Sequence, residues 1–572
     1  MEAEESAPAA AALPTPTREP PAGADLARQA SVVSVAVLAS RVVGLVREQT
    51  LAFLFGAGRE LDAFVTAFRV PNLFRDLFAE GALSAAFVTT FTHALERDGE
   101  AAAWRLASLV VNALAVVVGG VVLLGVLGAP ALVGAIAPGF AEIPGKLPLT
   151  VRLTAIMFPF LLLVALAAVA MGILNTRNVF AVPAAAGAFF NVGSVVGGLA
   201  CAAWLAPDYL RLALHGGADG AAPLLAERAI TGMAVGTLVG GLCQLGVQLP
   251  ALRRTGFRYR PVLDPRDPRL REVLRLMGPA TIGAAAVQVN VFVNSNFASY
   301  LGNGPVSWLN VAFRFMQLPI GLFGVAIGTV TLPAVSRQSA RGDVEALGRT
   351  VGEALELVAL LCIPAAAGLA LFGVPLVGLV YEHGRFGPAD TAAAAQALAG
   401  YALGLAGYAG IKVLAPSFFA LGDARIPMLV SLLSIGTNWA LNWTFVRALH
   451  LGHVGLAIST SAVALGNCVL LYAFLCRRIG PLGRGLGRAL ARIGVATAVM
   501  LLAAAAADAA LAPHLPVRPL AAYALRVATI LGTAGAAFAT ACAALGVALP
   551  RRLLRRGRGG RPPRRARPAP PG

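Results

Sequence analysis

Long apolar blocks fill most of this chain, separated by short stretches rich in Arg, Gly, Pro and Asp. A run of about 20 apolar residues crosses the hydrocarbon of a bilayer as a helix. A backbone in lipid must satisfy its own hydrogen bonds, so helices are the form such blocks take. Read by length and punctuation, the blocks predict about fourteen spans. They lie near 30–55, 62–92, 104–128, 149–174, 181–206, 229–250, 272–300, 305–336, 347–373, 389–420, 426–447, 453–476, 487–511 and 520–548. The ends differ from the rest. Residues 1–28, rich in Ala, Pro and Glu, and residues 551–572, mostly Arg, Pro and Gly, are expected to be disordered tails. The first apolar block starts near Ala30 and continues to Phe55, which does not fit a cleavable signal peptide.

The pattern repeats. Ala67-Phe68-Arg69 in the second span recurs as Ala312-Phe313-Arg314 in the eighth, and Leu77-Phe78 recurs as Leu322-Phe323, both offset by 245 residues. Pro183 after the fourth span matches Pro427 after the tenth, offset by 244. Duplicated membrane halves are a mark of transporters, which bind substrate between the halves. The expected organisation is a first lobe at 29–250 (spans 1–6), a second at 251–480 (spans 7–12), and a separate pair of spans at 481–550.

Composition supports the membrane assignment. Hydrophobic residues make up 58% and charged residues 13%, with mean hydropathy +0.75, against about 25% charged in soluble domains. The net charge of +18 would point to nucleic acid in a soluble protein. Here the excess sits in alternate loops and the C-terminal tail, above all in Arg253, Arg254, Arg258, Arg260, Arg266, Arg269 and Arg271. That is the positive-inside pattern; it predicts cytoplasmic termini, an even number of spans and no nucleic-acid partner. The six cysteines are scattered along apolar segments without metal or disulfide spacing, as small packing residues are.

The candidate chemistry lies inside the spans. Arg41, Arg47 and Glu48 fall in the first; Arg69, Asn72, Arg75, Asp76 and Glu80 in the second; Arg314 in the eighth. An arginine at mid-bilayer costs about 2.5–3.5 kcal/mol on insertion scales, so these must face water, a partner or a ligand. Two readings stand side by side. One is structural ion pairing with Glu48, Asp62, Asp76 and Glu80 together with snorkelling, which suits Arg69 best. The other is an electropositive cavity, where the planar guanidinium fork suits phosphate. Gly44, Gly81 and Pro159 are candidate hinges, set against ordinary membrane-helix Gly and Pro usage. Lys412, one of two lysines, sits mid-span beside Pro416. Asn438, Asn442 and Thr460, with Asn290 and Asn294, offer either interhelical hydrogen bonds or a sodium site of neutral oxygens. There is no GxxxxGK[ST] loop, HExxH or CxxC, and no nucleophile–base set, so a non-enzyme without cofactor is expected. Membrane potential or a sodium gradient remains as the drive.

Several motifs then carry a family resemblance. Ser40-Arg41-Val42-Val43-Gly44-Leu45-Val46-Arg47, Phe55-Gly56-Ala57-Gly58, Asp62-Ala63-Phe64, Pro71-Asn72-Leu73-Phe74-Arg75 and Phe78-Ala79-Glu80-Gly81-Ala82 resemble the MurJ/MviN lipid II flippases. So do Ala137-Pro138-Gly139-Phe140, Gly172-Ile173-Leu174-Asn175-Thr176, Gly278-Pro279-Ala280, Val306-Ser307-Trp308, Gly324-Val325-Ala326 and Lys412-Val413-Leu414-Ala415-Pro416, over about residues 30–550. The resemblance implies an all-α polytopic fold of the MOP exporter (MATE-like) type: two six-helix lobes around a cavity, plus two C-terminal helices forming a groove for a lipid tail. It implies that Arg41, Arg47, Arg75 and Arg314 bind the pyrophosphate of lipid II, and that Ser40, Asp62 and Asn72 are cavity or gate positions. The implied partners are lipid II, membrane lipids and other cell-wall synthesis proteins, and the implied location is a bacterial inner membrane. Two departures stand out. Phe313 and Gln317 replace acidic residues that some members carry, which puts a gate ion pair there in doubt. Asn442 stands where some members have a sodium-binding aspartate. Competing functions are flipping of another polyprenyl-pyrophosphate glycolipid, multidrug antiport on the same fold, a membrane-embedded glycosyltransferase, and a non-transporting scaffold.

Overall fold

The computed structural model describes residues 23–75, 82–217, 222–482, 485–514 and 520–547; the expected tails, Glu80 and Gly81 fall wholly or largely outside these. The first half contains α1 (Gly23–Phe55), α2 (Arg59–Arg75), α3 (Ala82–Asp98), α4 (Glu100–Leu127), α5 (Ala129–Ile136) and α6 (Lys146–Met157). It continues with α7 (Phe160–Thr176), α8 (Ala181–Leu205), α9 (Pro207–Leu214), α10 (Pro223–Gly246) and α11 (Gln248–Arg254). The second half contains α12 (Pro268–Ser299), α13 (Pro305–Pro319), α14 (Val325–Ala340), α15 (Val344–Leu371) and α16 (Gly373–Tyr381). After these come α17 (Pro388–Ala402), α18 (Leu405–Ala420), α19 (Arg425–Asn442) and α20 (Gly452–Ile479), then α21 (Leu486–Leu511) and α22 (Leu520–Ala544).

Among the described residues the chain is helical, with short breaks, where the apolar blocks predicted it. Among the described residues, nine helical segments and one bent pair, α17 with α18, are long and apolar enough to cross a membrane. They coincide with ten of the expected spans. The other expected spans fall on α1, on α2 with α3, on α12 and on α19. Helix starts follow local chemistry. Pro207, Pro223, Pro268, Pro305 and Pro388 each open a helix, where the missing N–H costs nothing and φ is already helical. The Asp267 carboxylate caps α12 by accepting from the backbone N–H groups of Arg269 and Leu270.

The repeat seen in sequence recurs as architecture. Glu100 opens α4 and Val344 opens α15, 244 residues later; Phe160 opens α7 and Leu405 opens α18, 245 later; Ala181 and Arg425 open α8 and α19, 244 apart. Each half has its own core. Phe87, Phe91, Leu106 and Phe158 anchor the first; Met316, Val351, Leu398 and Phe418 anchor the second. Within the first lobe α8 and α10 approach closely, because a Cβ on Gly232 or Gly240 would collide with the α8 backbone. This is the small-residue packing that membrane helices use in place of hydrophobic collapse. Helices α21 and α22 lie outside the repeat and pack on α15 and α16. A half-buried Asp508–Arg526 ion pair clips them to each other.

Candidate functional site: the interlobe cleft

The two lobes meet tightly at one end, where α1 ends, α2 begins and α12 gives way to α13. The Asp62 side chain on α2 is fully buried. One of its oxygens accepts from the Lys146 ammonium at 2.9 Å and the Gly304 N–H at 2.7 Å. The other accepts from the Ser307 N–H at 2.9 Å and the Ser307 hydroxyl at 2.7 Å. Lys146, also fully buried, gives its remaining donors to the Gly302 carbonyl and Asn303 Oδ1, both at 3.0 Å, and lies over the Phe140 ring. Three N–H donors thus meet three acceptors. Asp62 and Lys146 belong to the first lobe and residues 302–307 to the second, so the ion pair is sealed into a neutral polar cradle across the seam. Ser307 is Asp62 plus 245, the repeat offset. Residues equivalent under a twofold meet only near its axis, so this network marks the pseudo-axis.

The same end is closed by backbone. The Arg385 N–H donates to the Phe53 carbonyl at 3.0 Å, the Gly139 N–H to Ser299 Oγ at 3.1 Å, and the Gln49 amide to the Val380 carbonyl at 2.6 Å. A Cβ on Gly56 or Gly139 would lie 2.7 Å from a carbonyl oxygen of the opposite lobe, so both positions require glycine.

Away from the seam α1 and α14 part, with Arg41, Val42 and Val325 exposed, while α12 still packs on α3 of the first lobe and Arg269 pairs with Asp98. Here the arginines sort into different situations. Arg47 is mostly buried, with its guanidinium over the Phe68 and Phe190 rings at 5.6 and 5.3 Å and Nη2 at 3.6 Å from Glu48. Glu48 also pairs with Arg314 of the second lobe, whose side chain is 51% exposed. One carboxylate thus bridges two cations from opposite lobes. Arg75 is half-buried at the end of α2 and is not free. Arg69 donates to Ser295 Oγ of α12 at 2.9 Å. Arg41 lies about 9 Å further along α1 from Arg47 at 1.5 Å per residue. It is exposed, and among the described residues it makes no hydrogen bond or ion pair. The structure therefore brings Arg47 and Arg314 together at Glu48 and leaves Arg41 apart, without a partner among the described residues.

Other expected positions fall elsewhere. Ser40 packs on Gly187 of α8, and its carbonyl accepts from Asn191. Helix α1 runs unbroken through Gly44, whose missing side chain admits the Asn191 amide. Pro159 lies in a two-residue interruption between α6 and α7 whose dihedrals stay helical, so that Lys146–Thr176 runs as one span. Asn72 is half-buried with an unpartnered Oδ1. Lys412 is exposed on α18 and meets no carboxylate among the described residues. Asn438, Asn442 and Thr460 do assemble, around Asn294. The Asn438 and Asn442 amides donate to Asn294 Oδ1 at 3.0 and 2.8 Å, while the Asn294 amide donates to Thr460 Oγ1 at 3.1 Å. The cluster is neutral: no group of three or more metal-ligating His, Cys, Asp or Glu side chains occurs among the described residues. A cation there would rest on neutral oxygens such as the unpartnered Oδ1 of Asn290 and Asn438.

Sequence reasoning missed two residues. Lys146 falls just before the expected span 149–174, and the pattern alone does not single it out, although a lysine in a chain whose cations are otherwise almost all arginine is itself a signal. Glu48 was seen as one carboxylate among several; its adjacency to Arg47 did not reveal that it reaches Arg314.

The family model for lipid II flippase MurJ matches residues 51–523. The lipid II flippase MurJ of Burkholderia cenocepacia is 35% identical over 458 residues, covering 79% of this chain and 84% of its own length. The probable lipid II flippase MurJ of Rhizobium meliloti is 34% identical over 544 residues, covering 93% and 97%. A solved structure of a lipid II flippase MurJ in an inward closed conformation superposes with TM-score 0.69 at 22% identity, over 90% of this chain and 99% of the other. An inward-facing multidrug resistance MATE transporter of the MOP superfamily superposes with TM-score 0.62 at 15% identity, over 78% and 96%. These likenesses show that the chain shares the fold of those transporters.

Proposed function

The chain belongs to the lipid II flippase MurJ family, and from that premise we propose that it carries a lipid-linked peptidoglycan precursor across the bacterial inner membrane by alternating access. The observation that carries this is the asymmetry of the interlobe space: sealed at the Asp62–Lys146 end, parted between α1 and α14, and offering there an Arg41 guanidinium without a partner among the described residues and the half-exposed Arg314. Membrane crossing by a sugar-peptide head is blocked by the cost of stripping its water. A wet cleft lined with guanidinium groups replaces that water around a diphosphate, while the polyprenyl chain stays in lipid along α21 and α22.

The positive-inside pattern puts both termini in the cytoplasm. The end that carries the 56–58 turn is then periplasmic, and the cleft opens inward. Glu48 pairs with Arg314, and the incoming diphosphate exchanges with that carboxylate. Opening outward requires residues 302–307 to release the Asp62–Lys146 pair, which stays whole within the first lobe. No step demands that a bare charge enter lipid. Affinity for the lipid must differ between the two states, since only a differential interaction shifts a conformational equilibrium. Membrane potential acting on the anion is the drive this arrangement supports, because the Asn294 cluster supplies no negative charge to hold sodium tightly.

Proteoliposomes carrying a fluorescent lipid II, quenched from outside, test the activity. Transfer between leaflets above that of empty vesicles is expected; equal rates overturn the proposal. A reporter fused after Gly572 tests the orientation and should be active only on the cytoplasmic side.

A further inference from the structure

Among the described residues Arg41 has no hydrogen-bond or ion-pair partner, and what it touches is a matter of shape. Span eight is built as α13, a π-helical turn at Ile320–Gly324, and α14. Pro319 ends α13 without an N–H to offer, which favours a widened turn. The far side of that turn is fixed. A Cβ on Gly324 would sit 3.1 Å from Ala409 Cα, and α14 continues against the α18 backbone at Gly328. On the side facing the first lobe is Gly321. A Cβ there would lie 3.4 Å from Arg41 Nη1, 3.7 Å from Nη2 and 4.0 Å from Cζ. With both terminal nitrogens nearer than Cζ, the guanidinium meets Gly321 through its Nη1–Nη2 edge. The guanidinium of the first lobe thus rests on the second, with no hydrogen bond drawing it away from the cleft.

We propose that Gly321 is a positioning residue for the anion site: its bare face seats the Arg41 guanidinium, so that the diphosphate of the lipid is gripped between the lobes rather than by one of them. This rests on the flippase reading above. The seat explains how an unpaired arginine keeps one orientation. Aligning a planar fork before the anion arrives reduces the ordering cost of binding. The distances also set how much side chain the seat tolerates. A methyl would make ordinary contact, whereas a branched or longer side chain would occupy the guanidinium's place.

The test is the affinity of purified protein in nanodiscs for a fluorescent undecaprenyl diphosphate, with thermal unfolding followed in parallel. Gly321→Ala should bind within about 3-fold of the parent. Gly321→Leu should lose affinity by about 10-fold or more, the size of a charge-assisted contact, at an unchanged unfolding temperature. Arg41→Ala should lose as much, and the double variant no more than either alone, because both remove one contact. Gly436→Leu, on an open face of α19, should bind like the parent. If Arg41→Ala weakens binding and Gly321→Leu does not, or if the two losses add, the seat is wrong while the flippase reading stands. If Arg41→Ala itself leaves diphosphate binding unchanged, the underlying site reading fails and the seat with it.

Discussion

The sealed end of the interlobe space and the parted end both carry charge inside a membrane protein, but the charges are completed differently. At the sealed end every donor of Lys146 and both oxygens of Asp62 have partners, and neither side chain sees solvent. At the parted end Arg41 has none among the described residues, and Arg314 shares a single carboxylate with Arg47. Completeness of partnering separates charge that holds structure from charge that waits for a ligand, and residue type alone does not.

The largest expected effect breaks the sealed end. Asp62→Ala strands a buried ammonium, which costs about 3–5 kcal/mol. The detergent-solubilised protein should lose both unfolding temperature and yield; a variant as stable as the parent would show that the pair is not sealed. Next comes Arg41→Ala, which should leave the unfolding temperature alone and lose about 1.5–3 kcal/mol of diphosphate binding. Arg41→Lys should recover only part, since an ammonium cannot reproduce the fork.

Glu48→Gln sharpens the contrast. It frees Arg314 from its internal counter-ion, so diphosphate binding should tighten while transfer between leaflets slows. Binding and transfer falling together would show that Glu48 serves only to hold the lobes. The smallest effect belongs to the neutral cluster. Asn438→Ala should cost about 0.6 kcal/mol, the average of an interhelical hydrogen bond in a membrane protein, and transfer rates should not change with sodium. A sodium-dependent rate lost in this variant would restore the cluster as an ion site.

Much of the architecture was legible because the membrane imposes a coarse grammar. Block length predicted where helices lie, and the offset of 245 that links Ala67 to Ala312 also links Asp62 to Ser307, which touch. The arginines could be named from the cost of burying them, but not sorted. Whether Arg47 is stacked on Phe68 and Phe190 or Arg41 left free depends on which face of α1 each occupies against α8 and span eight, and the apolar pattern of α1 continues almost all round the helix. Gly44 illustrates the same limit. A glycine in a helix signals either bending or close approach, and only the position of Asn191 decides for approach. Lys146 escaped notice because its partners come from α2 and from the α12–α13 turn, both distant in sequence.

The most direct measurement is complementation of a strain depleted of its essential lipid II flippase, with protein level followed by immunoblot. The chain with Arg41 intact should restore growth, and Arg41→Ala should not, at equal protein level. Growth restored by Arg41→Ala, or a loss of growth that follows a loss of protein, would contradict an anion-binding cleft as the working part of this molecule.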